Sequence, residues 1–143
     1  MRIPSDRRTR EVAGRALPEG ALTERIIGAF YDVYNDLCYG LLERAYSAAM
    51  AILLAERGFL VSREVPFPLH YHGHEIGTYR ADMIVENRVI LEIKSGEVFP
   101  PGVKQQLTNY LRISRIEVGL ILLFGPEPKF KRVVRSRARE DQI

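Results

Sequence analysis

Tyr79-Arg80-Ala81-Asp82-Met83-Ile84-Val85-Glu86-Asn87-Arg88-Val89-Ile90-Leu91-Glu92-Ile93-Lys94-Ser95 is the stretch whose reading decides the fold. At the two-residue period of a strand, Arg80, Asp82 and Ile84 share one face and Met83 and Val85 the other. After Glu86, Asn87 and Arg88, the residues Ile90, Glu92 and Lys94 face away from Val89, Leu91 and Ile93. This is a hairpin that carries charges inside an apolar sequence. A three-residue loop pairs Val85 with Val89 and sets Asp82 opposite Glu92 on one face with Lys94. A two-residue loop sets Asp82 against Leu91 instead, on the other face. Like charges opposite each other on a sheet repel, so the first arrangement calls for a cation between the carboxylates. A hard divalent metal with oxygen ligands meets that need.

Downstream, Pro100-Pro101-Gly102 lies in a loop, and the spacing predicts a helix over 104–113 on which Gln106 and Tyr110, four apart, share a face. The pair alone reads better as the polar rim of an amphipathic helix. Val118 to Phe124 is a continuous apolar run suited to a buried central strand, and Phe130 to Val134 can add an edge strand.

Upstream, Ile26, Ile27, Phe30, Val33, Tyr34 and Leu37 recur at three and four, which predicts a helix with Thr23 as N-cap and Glu24 in its first turn. A second helix is predicted over 41–57, with Leu42, Ala45, Tyr46, Ala49, Ile52 and Leu53 on its apolar face and Gly58 closing it. Glu43 stands in its first turn, where the helix dipole favours an acid whatever its function. Phe59 to Pro68 alternates as a half-buried strand ending at Pro66 and Pro68. Leu69 to Gly77 then forms a polar hairpin with His72-Gly73 at its tip. The alternation of His70, His72 and His74 invites a zinc reading, but a turn intervenes and no cysteine or fourth ligand lies nearby, so exposed hairpin histidines are the better reading.

The chain has 143 residues, 46% hydrophobic and 27% charged, which fits one soluble domain able to bury a core without disulfides. Its single cysteine, Cys38, excludes an intramolecular disulfide and is expected to pack as a small hydrophobe in a reducing compartment. The apolar runs 45–55 and 119–124 are shorter than the roughly 20 residues of a spanning helix, and 1–20 lacks the apolar core of a secretory signal. The expectation is therefore a cytoplasmic protein with no membrane partner. The net charge of +3 sits at the ends: five arginines against three acids in 1–21, and six cations against three acids in 126–143. Such ends can supply phosphate contacts that do not read sequence. Residues 1–21 otherwise read as a flexible leader.

An Asp on one strand, Glu-x-Lys ten residues later, then Gln-x-x-x-Tyr on a helix is more specific than any of its parts. Asp82, Glu92-Ile93-Lys94 and Gln106-Leu107-Thr108-Asn109-Tyr110 resemble the core of the PD-(D/E)XK nuclease superfamily, in particular its lambda-exonuclease and RecB-like branch. Gly40-Leu41-Leu42-Glu43-Arg44-Ala45-Tyr46 is similar to the signature of the GxxExxY proteins placed in that superfamily. Tyr79 to Asp82, Gln106 to Leu111 and Leu122 to Gly125 are similar to that family's other blocks. The resemblance covers about 22–125, with an edge strand and basic tail in 126–143. Ala81 stands where the superfamily's name has proline, a departure common in this branch.

The resemblance implies an α/β fold: a central mixed sheet of four or five strands flanked by helices, a restriction-endonuclease-like core, with the Glu43 helix on one face and the Gln106 helix crossing over on the other. It implies hydrolysis of DNA or RNA phosphodiesters with Mg²⁺, or Mn²⁺ in its place. Asp82 and Glu92 would ligate the metal, with the Ile93 carbonyl as a third oxygen and Glu43 reaching it directly or through water. Lys94 would orient or deprotonate the attacking water or stabilise the phosphorane charge, and Gln106 and Tyr110 would position substrate or nucleophile. Nucleic acid is the implied partner, and so small a protein leaves room for a homodimer around a duplex. The alternative is a binding module that uses the scaffold and basic ends without cutting, or one that docks a partner protein.

Overall fold

In the computed structural model, which describes residues 17–135, the chain runs α1 (Gly20–Leu37), α2 (Glu43–Glu56), β1 (Val61–Tyr71), β2 (His74–Val85), β3 (Val89–Ser95), α3 (Val103–Ser114), β4 (Val118–Phe124) and β5 (Pro128–Val134). Most of the expected leader and the end of the basic tail lie outside the described residues. The five strands form one mixed sheet in the order β1-β2-β3-β4-β5. Only β3 and β4 are parallel, and α3 is the crossover between them.

The hairpin loop settles the register. Glu86, Asn87 and Arg88 turn the chain, Arg88 N–H donates to Val85 O at 3.0 Å, and Val85 pairs with Val89. Glu86 and Asn87 both adopt φ of 55°, a left-handed conformation that asparagine tolerates well.

Two apolar layers sandwich the sheet. On one face Met83, Val85, Val89, Leu91, Ile93, Leu120, Leu122 and Phe124 pack against α1 and α2. There the Phe124 ring meets Phe30 edge-on at 4.9 Å and stacks on Tyr46 at 3.9 Å. On the other face Ile84, Ile90, Ile121 and Val133 pack against Val103, Leu107 and Leu111 of α3. β4 is buried along its whole length because it has strands on both sides and helices on both faces. Gly119 permits α3 to approach it: a Cβ there would lie 2.8 Å from Leu107 Cδ2.

Several local expectations are corrected. α1 begins at Gly20 after Glu19, which takes a left-handed φ of 53°, so Thr23 is not its N-cap and Glu24 lies beyond its first residues. Thr23 is buried inside the helix, its hydroxyl donating to Glu19 O and Gly20 O and accepting from Arg132 at 2.5 Å. Arg132, counted by sequence with the basic end, thus ties β5 to α1. The α2 stripe is Tyr46, Met50 and Leu54, while Leu42, Ala45 and Ile52 are exposed. β1 does not end at its prolines: Pro66 pairs with Arg80 and Pro68 with Thr78. β1 is an edge strand, where a missing outward donor leaves the ladder intact. Cys38 is exposed at the end of α1, with φ of 60°, and does not pack in the core.

Candidate functional site

The strand alternation read from sequence breaks at Asp82. Tyr79 and Ala81 lie in the same layer as Ile84, on the α3 face, whereas Met83 and Val85 lie on the α1/α2 face. Strict alternation would have put Arg80, Asp82 and Ile84 together. The break coincides with one across the ladder: Glu64 of β1 has φ of 52°, and pairing passes from Arg63–Met83 to Val65–Ala81 with Glu64 and Asp82 left unpaired.

On its other side β2 pairs with β3 only through Met83–Leu91, Ile84–Ile90 and Val85–Val89. The same register extrapolates to Asp82 opposite Glu92, where the ladder stops. Asp82 Oδ2 instead accepts the Ile93 N–H at 3.1 Å. The side chain thus satisfies a donor that the parting strands leave free.

Glu92 is 6% exposed, the only charged residue buried among the described residues. Its Oε1 accepts from the Tyr79 hydroxyl at 2.6 Å, and its Oε2 lies 3.8 Å from Lys94 Nζ. Burial and then the nearby charge of Asp82 push its pKa up to about 7, against the lowering effects of the Tyr79 bond and Lys94. Asp82 is raised too, chiefly by burial, with the Ile93 N–H bond and Lys94 working the other way. Asp82 bonds to the backbone N–H next to Glu92, and Lys94 Nζ lies 3.8 Å from Glu92 Oε2.

Glu43 reaches this place from the first residue of α2. The segment before it is anchored: the Tyr46 hydroxyl donates to Cys38 O and accepts from Leu41 N–H at 3.1 Å, and Ser95 Oγ donates to Leu41 O at 2.8 Å. Gly40, at φ of 117°, makes the turn that an L side chain would strain. The Gly40, Glu43 and Tyr46 spacing therefore has a local physical meaning, with glycine for the turn, glutamate at the helix start and tyrosine clamping the approach from within the core.

A cleft of about 200 Å³ opens between α2 and the β1–β2–β3 strands, lined by Glu43, Arg44, Ser47, Arg63, Glu64, Asp82 and Ile93. Glu43 also raises the Glu92 pKa as its least cause. Among the described residues, no three of His, Cys, Asp and Glu close up into a compact metal-binding cluster. The oxygen-bearing side chains at hand are the Asp82 and Glu92 carboxylates, with Glu43 on the cleft wall beside Asp82 and Ile93. This set suits a hard divalent cation: oxygen donors only, and two carboxylates that burial and mutual repulsion leave short of positive charge.

Tyr110 and Gln106 fare differently. Tyr110 stacks on Tyr79 with ring centroids 3.3 Å apart and planes 14° from parallel. Gln106 is exposed one turn earlier on α3, with no hydrogen bond to the acidic pair among the described residues. Sequence reasoning missed Tyr79 as a member of the site. Strict alternation puts residue 79 on the face opposite Glu92, and only the break at Asp82 returns it to the Glu92 side. It also missed Arg44, Ser47, Arg63 and Glu64; proximity to Glu43 was the one available signal for the first two.

His70, His72 and His74 are exposed around a two-residue turn in which His72 and Gly73 both have positive φ. They gather no metal-binding cluster among the described residues. No helix of the described residues is long and apolar enough to cross a membrane.

The family model of the PD-(D/E)XK nuclease superfamily matches residues 20–135. No curated protein matches the chain. Among solved structures the chain is similar to one described as "Crystal structure of SSO0001", at 15% identity, over 84% of this chain and 68% of that one, with a TM-score of 0.44.

Proposed function

The chain belongs to the PD-(D/E)XK nuclease superfamily, and we propose that it is a Mg²⁺-dependent nuclease, served also by Mn²⁺, that hydrolyses phosphodiester bonds of DNA or RNA. The observation that carries this reading is the half-buried Asp82 carboxylate bonded at 3.1 Å to the backbone N–H that follows buried Glu92, with Lys94 Nζ 3.8 Å from Glu92. Asp82, Glu92 and the Ile93 carbonyl would hold the cation, with Glu43 contributing from α2. When bound, that cation supplies an activated water and neutralises charge at the scissile phosphate.

The protein's own groups do the remaining work. Lys94, a quarter exposed at its side chain, reaches from the Glu92 face toward solvent, where it can orient the attacking water or meet the charge on the phosphorane. Arg44 and Arg63 on the cleft wall are placed to meet phosphate oxygens. Gln106, exposed on α3, would contact substrate. The finer assignment to the GxxExxY proteins, a cytoplasmic location and a homodimer around the duplex belong to the same proposal.

The test is cleavage of labelled single- and double-stranded DNA and of RNA by the purified, folded protein with Mg²⁺ or Mn²⁺. Cutting that EDTA stops, and that Asp82→Asn and Lys94→Ala abolish, is expected. Salt-dependent binding without cutting, unchanged by EDTA and by Asp82→Ala, would replace this reading with that of a non-catalytic binding module.

A further inference from the structure

Tyr79 has no role in the reading above, yet it is the residue that fixes Glu92. It is 7% exposed and its hydroxyl donates to Glu92 Oε1 at 2.6 Å. With Oε1 engaged, Oε2 is the oxygen nearest Lys94. One carboxylate oxygen is thus held by a neutral hydrogen-bond donor, and the other lies within ion-pair distance of a cation.

Tyr79 itself packs against two other rings. The Tyr110 ring stacks on it at 3.3 Å and the Phe67 ring lies at 6.1 Å, with planes 14° and 17° from parallel. Tyr110 belongs to α3 and Phe67 to β1, so two elements pack rings against a side chain of a third. The close stack on Tyr110 restricts the rotation of the phenol away from its acceptor.

We infer that Tyr79 is a positioning residue that orients Glu92 toward the cation, and that Tyr110 serves the site through its ring, by holding Tyr79, with no contact to substrate. This rests on the nuclease reading for the identity of the cation but concerns only the chain's own groups. Outer partners of ligating carboxylates fix ligand orientation, and their loss typically weakens metal binding or activity by roughly 10- to 100-fold.

The experiment is Mn²⁺ titration of the full chain by calorimetry, beside cleavage kinetics. Tyr79→Phe keeps the ring and its stacking and removes only the hydroxyl. It is expected to weaken Mn²⁺ binding by roughly 10-fold or more and to lower kcat with little change in the KM for nucleic acid. Tyr110→Leu, which leaves Tyr79 and Glu92 in place but removes the stacked ring, is expected to weaken Mn²⁺ binding several-fold, with Tyr110→Phe restoring it; this pair also serves if Tyr79→Phe does not fold. Wild-type affinity in both Tyr79→Phe and Tyr110→Leu overturns the inference and leaves the nuclease reading intact. A Tyr110→Phe defect equal to that of Tyr110→Leu overturns the ring-only role of Tyr110. A folded wild type that binds no Mn²⁺ overturns both the inference and the reading beneath it.

Discussion

Asp82 of β2 accepts the backbone N–H of Ile93 on β3 at 3.1 Å, at the point where the ladder between the two strands stops. One carboxylate oxygen closes the fork, and the residue lines the cleft beside α2. The same side chain is therefore structural and chemical, and its substitutions should separate the two roles. Asp82→Asn keeps an oxygen for the Ile93 N–H while losing the charge. We expect it to retain stability within about 1 kcal/mol and to lose cleavage activity by on the order of 100-fold or more. Thermal unfolding and single-turnover cleavage check the two halves. A fully active Asp82→Asn contradicts the assignment.

Protons and metal should compete at Glu92. Its pKa is raised from an ordinary 4.5 to about 7, so the folded state holds a proton that the unfolded chain has released. The resulting stability is present below about 4.5 and is lost as pH rises through about 7. Asp82, shifted in the same direction, adds to it at lower pH. Metal-free protein is thus expected to melt at a lower temperature at pH 7.5 than at pH 5.5. Because a cation replaces the proton, added Mg²⁺ should raise Tm more at pH 8 than at pH 5.5. Differential scanning fluorimetry with EDTA or Mg²⁺ measures this, and an equal rise at both values would count against it.

Tyr46 links the core to the cleft. Tyr46→Phe preserves the 3.9 Å stack on Phe124 and deletes the bonds to Cys38 O and from Leu41 N–H. Those backbone groups belong to exposed residues and can turn to water, so the expected loss of stability is about 1 kcal/mol. Activity should fall further than stability, because Glu43 follows directly on the released segment. Parallel measurement of Tm and kcat checks this.

Gly119 tests the packing that places α3. Gly119→Ala sets a methyl 2.8 Å from Leu107 Cδ2 in a fully buried layer. A destabilisation of about 1–3 kcal/mol is expected from overpacking, read from urea unfolding. Gly28, with nothing within 4 Å of its would-be Cβ, is the control: Gly28→Ala in the middle of α1 should be neutral or stabilising.

What could be read from sequence follows where one physical signal dominated. Val118 to Phe124 was legible as a buried strand because an uninterrupted apolar run with Gly125 and Pro126 behind it has few other homes. The α3 crossover was legible because two strands of this kind with a helix between them are joined in parallel; the loop length was not, since two- and three-residue loops both fit the sequence and the Val85–Val89 pairing decides for three. Legibility failed where tertiary context outweighed the local pattern. Pro66 and Pro68 look like strand breakers until β1 is known to be an edge. Thr23 looks like a cap until Glu19 turns the chain first. The α2 stripe was misplaced by including Leu42 and Ile52, which Tyr46, Met50 and Leu54 leave on the exposed sides. At the site, the sequence register set Asp82 opposite Glu92, whereas the ladder stops at Met83–Leu91 and Asp82 accepts the Ile93 N–H. The part of Tyr79 was not legible, since it depends on a break in alternation next to Glu64, where β1 takes a positive φ.

The most direct test of the account is the position of Mn²⁺ in a soaked crystal, located by its anomalous scattering. The expected result is a peak within coordination distance of a carboxylate oxygen of Asp82 and of Glu92, lost in Asp82→Asn crystals. Ordered density for both side chains at saturating Mn²⁺ with no peak between them, or with the ion bound elsewhere, would contradict it.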